Sequence, residues 1–552
     1  MTDAINVPAE LRARTEAWIA DDPDEQTRAE LTRLLTAADS DHAVASELAD
    51  RFDGTLAFGT AGLRGEVAAG PNRMNRAVVI RTAAGLAGYL QATVERGSVV
   101  IGYDARHQSD VFARDTAEVM RGAGFDAQMM PAPLPTPLLA FAIGHLGCVA
   151  GVMVTASHNP PRDNGYKVYL ADGSQIVPPA DVAIAARIEG VRSVTGVRRT
   201  GGWTVLDDTI VDAYVAAVTA LVDPSGPRDL RLVYTPLHGV GYDTVRRSLS
   251  AAGFATPDVV PEQAEPDPDF ATVSFPNPEE PGAMDLALAL AQQQRADVVV
   301  ANDPDADRCA VAVPTPQGWR MLRGDEVGAL LADHQLRKGV RGVFATTIVS
   351  SSLLSRMAVR AGAAYQETLT GFKWIGRVPG LTFGYEEALG YCVAPHLVRD
   401  KDGVSALLLV AELAAELKAA GDTLLDRLDE IAVSHGLHAT DQLSVRVSDL
   451  ALIGAAMRRL RESPPASLGG FAVEQVDDLS VGASGLPPTD GLRYFLADGG
   501  RVVVRPSGTE PKIKCYLEVV MTVTNGDVQA SRIAAAGRLD AIRADISTAA
   551  GL

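Results

Sequence analysis

A serine that follows an apolar run is the first residue of this sequence whose surroundings suggest chemistry. Residues 155–160 are Thr-Ala-Ser-His-Asn-Pro, and Pro160 and Pro161 prevent a helix from starting at once. We therefore expect Ser157 on a loop beyond the end of a strand. A serine hydroxyl needs an activating partner to be a nucleophile, and Ser, His and Asn are also ordinary turn residues. The segment alone leaves a catalytic loop and a plain turn equally open.

Three aspartates at alternating positions could supply such a partner. Residues 303–308 are Asp-Pro-Asp-Ala-Asp-Arg and follow another apolar run. The carboxylates of Asp303, Asp305 and Asp307 suit Mg2+, and the planar Arg308 guanidinium suits a phosphate. The plain alternative is a solvated acidic turn or a helix N-cap. An EF-hand is excluded because its glycine and its distal glutamate are missing.

A third segment, residues 505–511, is Arg-Pro-Ser-Gly-Thr-Glu-Pro and lies between two predicted strands. A turn of this type can direct backbone N–H groups at an anion. For an isolated turn, however, a tight hairpin is the better interpretation.

Four other residues are ambiguous when taken alone. Glu386 and Glu387 could accept hydrogen bonds from sugar hydroxyls or lie in a surface turn. Lys373 stands beside aromatic residues and could contact a phosphate or only extend its charge into water. Lys167 follows Ser157 by ten positions and is open to the same two interpretations.

Short β-branched runs that alternate with helical stretches must position these residues. Such alternation indicates α/β layers with mostly parallel sheets, in which ligands bind at the carboxyl ends of the strands. The runs lie at residues 99–104, 151–155, 232–235, 297–300 and 342–346.

Other stretches predict different structure. The first fifty residues have helical periodicity, and the glycine-rich residues 58–65 predict a loop. Residues 265–282 predict a long ordered loop. Beyond about residue 434 the pattern favours a smaller α+β domain, which ends in a helix over about 527–548.

The composition limits the classes of partner. The chain has 552 residues and a formal net charge of −19, which disfavours nucleic acid and anionic membranes. We find no signal peptide and no apolar run long enough to span a bilayer. The four cysteines form no CxxC pair, so we expect a cytoplasmic protein with reduced thiols.

Taken together, the motifs resemble those of the α-D-phosphohexomutase family. TASHNP is similar to its phosphoserine loop, DPDADR to its metal loop and RPSGTEP to its phosphate-binding loop, in the same order. The resemblance extends from GTAGLRG to RPSGTEP and so covers nearly the whole chain. Within the family, FPNPEE, TPLHGVG and EEALG are most similar to the branch of phosphoglucomutase-2-like enzymes and phosphopentomutases.

The resemblance implies an α/β fold of four domains around a central cleft. Three α/β domains with mixed, mostly parallel sheets would carry the phosphoserine, metal-binding and sugar-binding loops. A smaller C-terminal α+β domain would carry the phosphate-binding loop. We place these domains at residues 1–205, 206–315, 316–433 and 434–552.

The resemblance also implies the residues of the reaction centre. Ser157 would carry the phosphoryl group, with Lys167 as a candidate general acid or base. One Mg2+ per chain would bind a phosphate oxygen on Ser157 and three carboxylates. The remaining residues around the reacting phosphate and the metal would be Arg64, His158, Asp303, Asp305 and Asp307.

The substrate-binding residues follow from the same resemblance. Glu386, together with Glu387, would hold sugar hydroxyls. The phosphate-binding loop would hold the phosphate that is not reacting, and the full set would be Arg308, Gly371, Lys373, Glu386, Glu387, Arg505, Ser507, Gly508 and Thr509. One departure concerns Ala388, because many hexomutases carry a serine two places after the sugar-binding glutamate. One sugar contact is therefore lost or moved.

The implied function is a phosphosugar mutase that interconverts hexose 1-phosphate and hexose 6-phosphate through a phosphoserine and a sugar 1,6-bisphosphate. Glucose is the first choice of sugar, mannose the second, and ribose or deoxyribose the third. Two competing functions are a metal-dependent sugar phosphatase and a catalytically silent protein that binds sugar phosphates. We expect a monomer or a homodimer.

Overall fold

The computed structural model describes residues 7–60, 62–447, 450–482, 485–507 and 512–551. The chain forms two compact units. Unit 1 contains the residues up to 321 together with residues 394–415. Unit 2 contains residues 322–393 and the residues from 416 onward.

Unit 1 begins with the predicted helical segment, which forms the helices Ala9–Asp21, Glu25–Ala37 and His42–Arg51. Aspartates cap the second and third of these helices. The Asp24 side chain accepts from the Gln26 backbone N–H, and Asp41 accepts from that of Ala43. Such caps satisfy N–H groups that lack a partner within the helix.

The first sheet of unit 1 is mixed, with parallel pairing in its central strands. The helices beside it in sequence are Arg76–Thr93, Ser109–Gly122, Thr136–Leu146 and Ala180–Glu189. In spatial order its strands are Leu63–Glu66, Asp163–Leu170, Ala150–Val154, Ser98–Tyr103, Asp126–Met129 and Thr204–Val205.

The prediction of a loop over the glycine-rich residues 58–65 was wrong in part. The strand Leu63–Glu66 includes the end of that segment and pairs antiparallel with the strand Asp163–Leu170. A Cβ at Gly65 would lie 2.9 Å from Leu56 Cδ1. This glycine therefore permits close packing of a regular strand and does not mark an irregular backbone.

The second sheet of unit 1 contains two parallel and two antiparallel pairings. In spatial order its strands are Gly318–Met321, Ala310–Thr315, Val298–Ala301, Leu232–Thr235 and Asp258–Val259. Its helices are Thr209–Thr219, Tyr242–Ala251, Asp285–Gln294 and the 3-10 turn Pro261–Gln263. Residues 265–282, all of which are described, contain neither helix nor strand, which confirms the predicted loop.

Unit 2 contains a third, mostly parallel sheet. Its strands in spatial order are Ala364–Thr368, Val343–Thr347, Leu381–Glu386 and Gly390–Cys392. The helices beside it in sequence are Gly324–Arg337, Leu353–Arg360 and Phe372–Ile375. The helix Gly403–Ala420 belongs to unit 1 as far as residue 415, and only its last residues belong to unit 2.

The C-terminal part of unit 2 is α+β, as predicted, and its sheet is antiparallel throughout. The strands are Leu437–Arg446, Lys512–Met521, Arg501–Pro506, Leu492–Leu496, Phe471–Asp478 and Ser467–Leu468. The helices are Leu424–His435, Leu450–Glu462, Val528–Ala550 and the 3-10 turn Leu479–Val481.

The fold class and all five predicted strand runs are confirmed. The runs correspond to the strands Ser98–Tyr103, Ala150–Val154, Leu232–Thr235, Val298–Ala301 and Val343–Thr347. Among the residues that the structure describes, the helices are all too short or too polar to cross a bilayer.

Candidate active site

Ser157 lies on the loop that follows the strand Ala150–Val154. Its backbone φ is +52°, a left-handed conformation that residues other than glycine adopt only where their surroundings enforce it. The side chain is buried. Its Oγ donates a hydrogen bond to Asp303 Oδ2 at 2.7 Å and lies 3.2 Å from His158 Nδ1. The structure therefore joins two segments that are 146 positions apart in sequence.

The aspartate loop follows the strand Val298–Ala301 and is braced from two sides. The Val240 N–H donates to the Pro304 carbonyl at 2.8 Å, and a Cβ at Gly239 would lie 2.3 Å from Pro304 Cα. A side chain at position 239 would push this loop away. On the other side, Thr136 donates its backbone N–H and its hydroxyl to Asp305, at 2.9 and 2.6 Å.

The three carboxylates fit a divalent cation. Asp303, Asp305 and Asp307 are fully buried, and each offers an oxygen within 4.8 Å of the other two. Oδ1 of Asp305 and Oδ1 of Asp307 have no hydrogen-bond partner among the described residues. Buried carboxylate oxygens without a partner are costly, and hard oxygen ligands are those that Mg2+ prefers.

Two lysines lie against the aspartates. Lys167 Nζ lies 2.7 Å from Asp305 Oδ2 and 2.9 Å from Asp307 Oδ2, and Lys401 Nζ lies 3.3 Å from Asp307 Oδ2. Burial acts to lower the pKa of Lys167, but the charges of Asp305 and Asp307 outweigh it and raise that pKa. Conversely, burial acts to raise the pKa of Asp307, but the two lysines hold it below its usual range. Lys167 is therefore protonated at neutral pH in this arrangement.

His158 has the opposite electrostatic character. Burial, with the positive charges of Arg308 and Arg64, holds the pKa of His158 well below its usual value. The imidazole next to the Ser157 hydroxyl is therefore neutral. Arg64 donates to Asn159 Oδ1 at 2.9 Å, and Arg308 Nη1 lies 3.7 Å from Glu279 Oε2.

The other predicted site residues belong to unit 2. Glu386 ends the strand Leu381–Glu386, and Glu387 follows it. Gly371, with φ +103°, directly precedes the helix Phe372–Ile375, which carries Lys373.

Arg505 lies on the strand Arg501–Pro506, and the Ser507 N–H donates to the Lys512 carbonyl at 2.8 Å, which closes a hairpin. Gly508 and Thr509 lie outside the described residues.

Sequence analysis did not single out Lys401. It lies between Asp400 and Asp402, which accept hydrogen bonds from the Tyr169 and Tyr214 hydroxyls at 2.8 and 2.7 Å. The available signal was a run of four charged residues, 399–402, directly before the apolar start of the helix Gly403–Ala420. Nothing in that run indicates that it meets an aspartate almost a hundred positions earlier.

Family models match four consecutive parts of the chain. All four are described as phosphoglucomutase/phosphomannomutase domains: alpha/beta/alpha domains I, II and III match residues 55–194, 212–318 and 323–431, and the C-terminal domain matches residues 443–535.

Individual relatives carry several related names. A probable phosphomannomutase of Haemophilus influenzae is 49% identical over 81% of this chain and 93% of its own length. The human phosphopentomutase is 34% identical over 94% of this chain and 93% of its own length. A Staphylococcus aureus phosphoglucomutase is 33% identical over 86% of this chain and 91% of its own length. A provisionally named phosphomannomutase structure from Thermus thermophilus has a TM-score of 0.68 at 28% identity, over 88% of this chain and 99% of its own.

Proposed function

The chain belongs to the phosphoglucomutase/phosphomannomutase family and is a phosphomutase, and from this premise we propose that it interconverts hexose 1-phosphate and hexose 6-phosphate, with glucose preferred. The observation that supports this proposal best is the hydrogen bond from Ser157 Oγ to Asp303. It places a hydroxyl in a buried site beside three convergent carboxylates, as phosphoryl transfer through serine requires.

In the proposed reaction, phospho-Ser157 transfers its phosphoryl group to the free hydroxyl of a sugar monophosphate. The bond between Ser157 Oγ and phosphorus breaks, and a bond from the sugar oxygen to phosphorus forms. The sugar hydroxyl gives its proton to the neutral imidazole of His158, whose Nδ1 lies 3.2 Å from Ser157 Oγ, and the charged Lys167 gives a proton to Ser157 Oγ. Both proton transfers are reversed when the other phosphate returns to Ser157.

The product of this step is a bound sugar 1,6-bisphosphate. It turns over in the site, and its other phosphate returns to Ser157, so that the enzyme is regenerated and the position of the phosphate has changed. Asp303, Asp305 and Asp307 would hold one Mg2+, which offsets the negative charge of the group being transferred. Arg64 and Arg308 would add donors beside that group.

A second set of residues, assigned by the family resemblance, would hold the rest of the substrate. Glu386 and Glu387 would accept hydrogen bonds from sugar hydroxyls, with Gly371 and Lys373 beside them. Arg505 and Ser507, with Gly508 and Thr509, would hold the phosphate that is not reacting. Because the two phosphates exchange roles, this part of the site must accept either one.

A second candidate is the interconversion of pentose 1-phosphate and pentose 5-phosphate. Relatives named phosphopentomutase or phosphoribomutase cover 92–95% of this chain at 33–37% identity. Ala388, at the place of the usual hexomutase serine, is compatible with a sugar that offers fewer hydroxyls.

A coupled assay with glucose, mannose, ribose and deoxyribose 1-phosphates, at catalytic sugar bisphosphate, tests the proposal. We expect the fastest turnover with glucose 1-phosphate and no net release of inorganic phosphate. Ser157→Ala should remove turnover of all four sugars while its circular dichroism spectrum is unchanged. Near-normal turnover in Ser157→Ala would contradict the phosphoserine mechanism, and stoichiometric phosphate release would indicate a phosphatase.

A further inference from the structure

We propose that Arg106 is a positioning residue that fixes the phosphoserine loop in its left-handed conformation, an inference that rests on the proposed role of Ser157. Arg106 is not among the predicted site residues, and it acts on the loop backbone. Its side chain is almost completely buried.

The guanidinium of Arg106 binds four backbone carbonyls of this loop. Its Nη2 donates to the carbonyls of Ser157 and Asn159, at 2.7 and 2.5 Å. Its Nη1 donates to those of Pro160 and Asp163, at 2.8 and 3.0 Å. One planar group thus connects the reacting residue to the start of the next strand. Hydrogen bonds from a charged donor are stronger than those between neutral groups.

Neighbouring residues fix Arg106 in turn. Its Nε lies 3.5 Å from Asp104 Oδ2, and Asp104 Oδ1 accepts both the Arg106 backbone N–H and the Ser109 hydroxyl. The guanidinium carbon lies 4.8 Å from the centroid of the Phe270 ring, which belongs to the loop 265–282. Arg106 therefore has little freedom to follow the serine loop if that loop moves.

This arrangement explains how Ser157 keeps its unfavourable φ. A residue other than glycine remains in a left-handed conformation only where its surroundings specify that conformation. Lysine at position 106 would keep the charge, but a compact ammonium cannot form the planar double fork to four carbonyls. The loop of such a variant should relax and move Ser157 Oγ away from Asp303. Displacements of about 1 Å at a reacting centre can cost about 100-fold in rate.

Arg228 offers a matched control far from Ser157 in sequence. Its Nε and Nη1 donate to the carbonyls of Ala252 and Pro227, its Nη2 donates to that of Asp223, and it stacks 4.8 Å from the Phe254 ring. The same change, Arg228→Lys, therefore removes a fork to three backbone carbonyls, at a partly exposed position, that includes no residue of the phosphoserine loop.

The experiment compares Arg106→Lys, Arg228→Lys and wild type. For each protein, kcat, KM and Tm are measured, and the phosphorylation of Ser157 by sugar bisphosphate is followed by intact mass spectrometry. We expect kcat of Arg106→Lys to fall about 100-fold with KM within about threefold, together with slower phosphorylation. Arg228→Lys should lower Tm and keep the wild-type kcat. Wild-type kcat in Arg106→Lys, or equal losses in the two variants, would overturn the proposal.

Two further outcomes are decisive. If Arg106→Lys does not fold, Phe270→Leu removes the ring under the guanidinium and should still lower kcat more than KM changes, whereas unchanged kcat would refute the inference. If wild-type protein neither turns over nor accepts phosphate on Ser157, the proposed function itself fails. By contrast, an active wild type with an equally active Arg106→Lys variant would refute only the role of Arg106.

Discussion

Ser350 and Glu387 of unit 2 hold each other by two hydrogen bonds. The Ser350 hydroxyl donates to Glu387 Oε2 at 2.9 Å, and it accepts from the Glu387 backbone N–H at 3.2 Å. Thr347 Oγ1 lies 3.3 Å from the same carboxylate oxygen. Ser350 is buried, and its hydroxyl therefore holds the Glu387 carboxylate in one orientation.

The first prediction follows from this pair. Ser350→Ala should release the Glu387 carboxylate and lower kcat/KM about tenfold, the size of one hydrogen bond to a charged group. Steady-state kinetics with glucose 1-phosphate measures the effect. Ser355→Ala, which removes a hydroxyl that donates to the Ser352 carbonyl in the same unit, is the control. If kcat/KM falls in Glu387→Gln but is unchanged in Ser350→Ala, the role given to Ser350 is contradicted.

The second prediction concerns the proposed cation. Asp303→Asn removes one charge from the aspartate cluster and changes the acceptor of the Ser157 hydroxyl, so turnover should fall about 1000-fold or more. Titration calorimetry with Mg2+ should show weaker binding, and added Mg2+ should not restore the wild-type rate. The exposed Glu95→Gln serves as the control for loss of one negative charge. Tight Mg2+ binding by Asp303→Asn would place the cation elsewhere.

The third prediction concerns pH and the stability of unit 2. Asp325 is buried at the start of the helix Gly324–Arg337, where its Oδ1 accepts from the Ser351 N–H at 2.7 Å. Burial raises the pKa of Asp325 to about 6. The folded state therefore binds this proton more tightly than the unfolded state does. Its contribution to stability is largest below about pH 4 and is lost as the pH rises through 6.

The size of this effect is at most about 3 kcal/mol, since two pKa units correspond to that free energy. Denaturant unfolding of wild type and Asp325→Asn between pH 4 and pH 7 measures it. We expect the stability of wild type relative to the variant to decrease across that range. A difference that is independent of pH would show that the folded pKa of Asp325 is ordinary.

The fourth prediction concerns a buried charge network in unit 2. Arg501 donates to Glu518 and to Glu367, each at 2.8 Å. Burial acts to raise the pKa of Glu518, but Arg501 and His438 hold it well below its usual range. Arg501→Met would leave two carboxylates without this partner and should destabilise the protein by about 3–5 kcal/mol.

Arg461→Met provides the comparison for that change. Arg461 pairs with Asp478 and Asp490 at a partly exposed position, where ion pairs contribute about 1 kcal/mol or less. Denaturant unfolding at neutral pH should separate the two variants clearly. Similar losses in both would indicate that the Arg501 network contributes no more than a surface pair.

Local patterns predicted the parts of the fold that local physics determines. The β-branched runs became strands, and Ser157 and Asp303 lie directly after two of them. These features were predictable because β-branched runs and pairs of prolines restrict the backbone over only a few residues. The contact between Ser157 and Asp303 came from resemblance, since neither segment specifies its distant partner.

The residues that sequence analysis missed act over long separations. Lys401 meets Asp307 only in the folded chain, and Arg106 is defined by the carbonyls that it binds and not by a motif. The strand at Leu63–Glu66 was missed for a different reason. Glycine content suggested an irregular backbone, whereas Gly65 serves a close contact with Leu56 that the sequence does not show.

The placement of residues 394–415 in unit 1 has a consequence for synthesis of the protein on the ribosome. A nascent chain that has emerged as far as residue 321 lacks Lys401, and its Tyr169 and Tyr214 hydroxyls lack the carboxylates that receive them. All of residues 322–393 must then leave the exit tunnel before those carboxylates arrive. Unit 1 is therefore completed late in translation, after residues 322–393 of unit 2 have already been made.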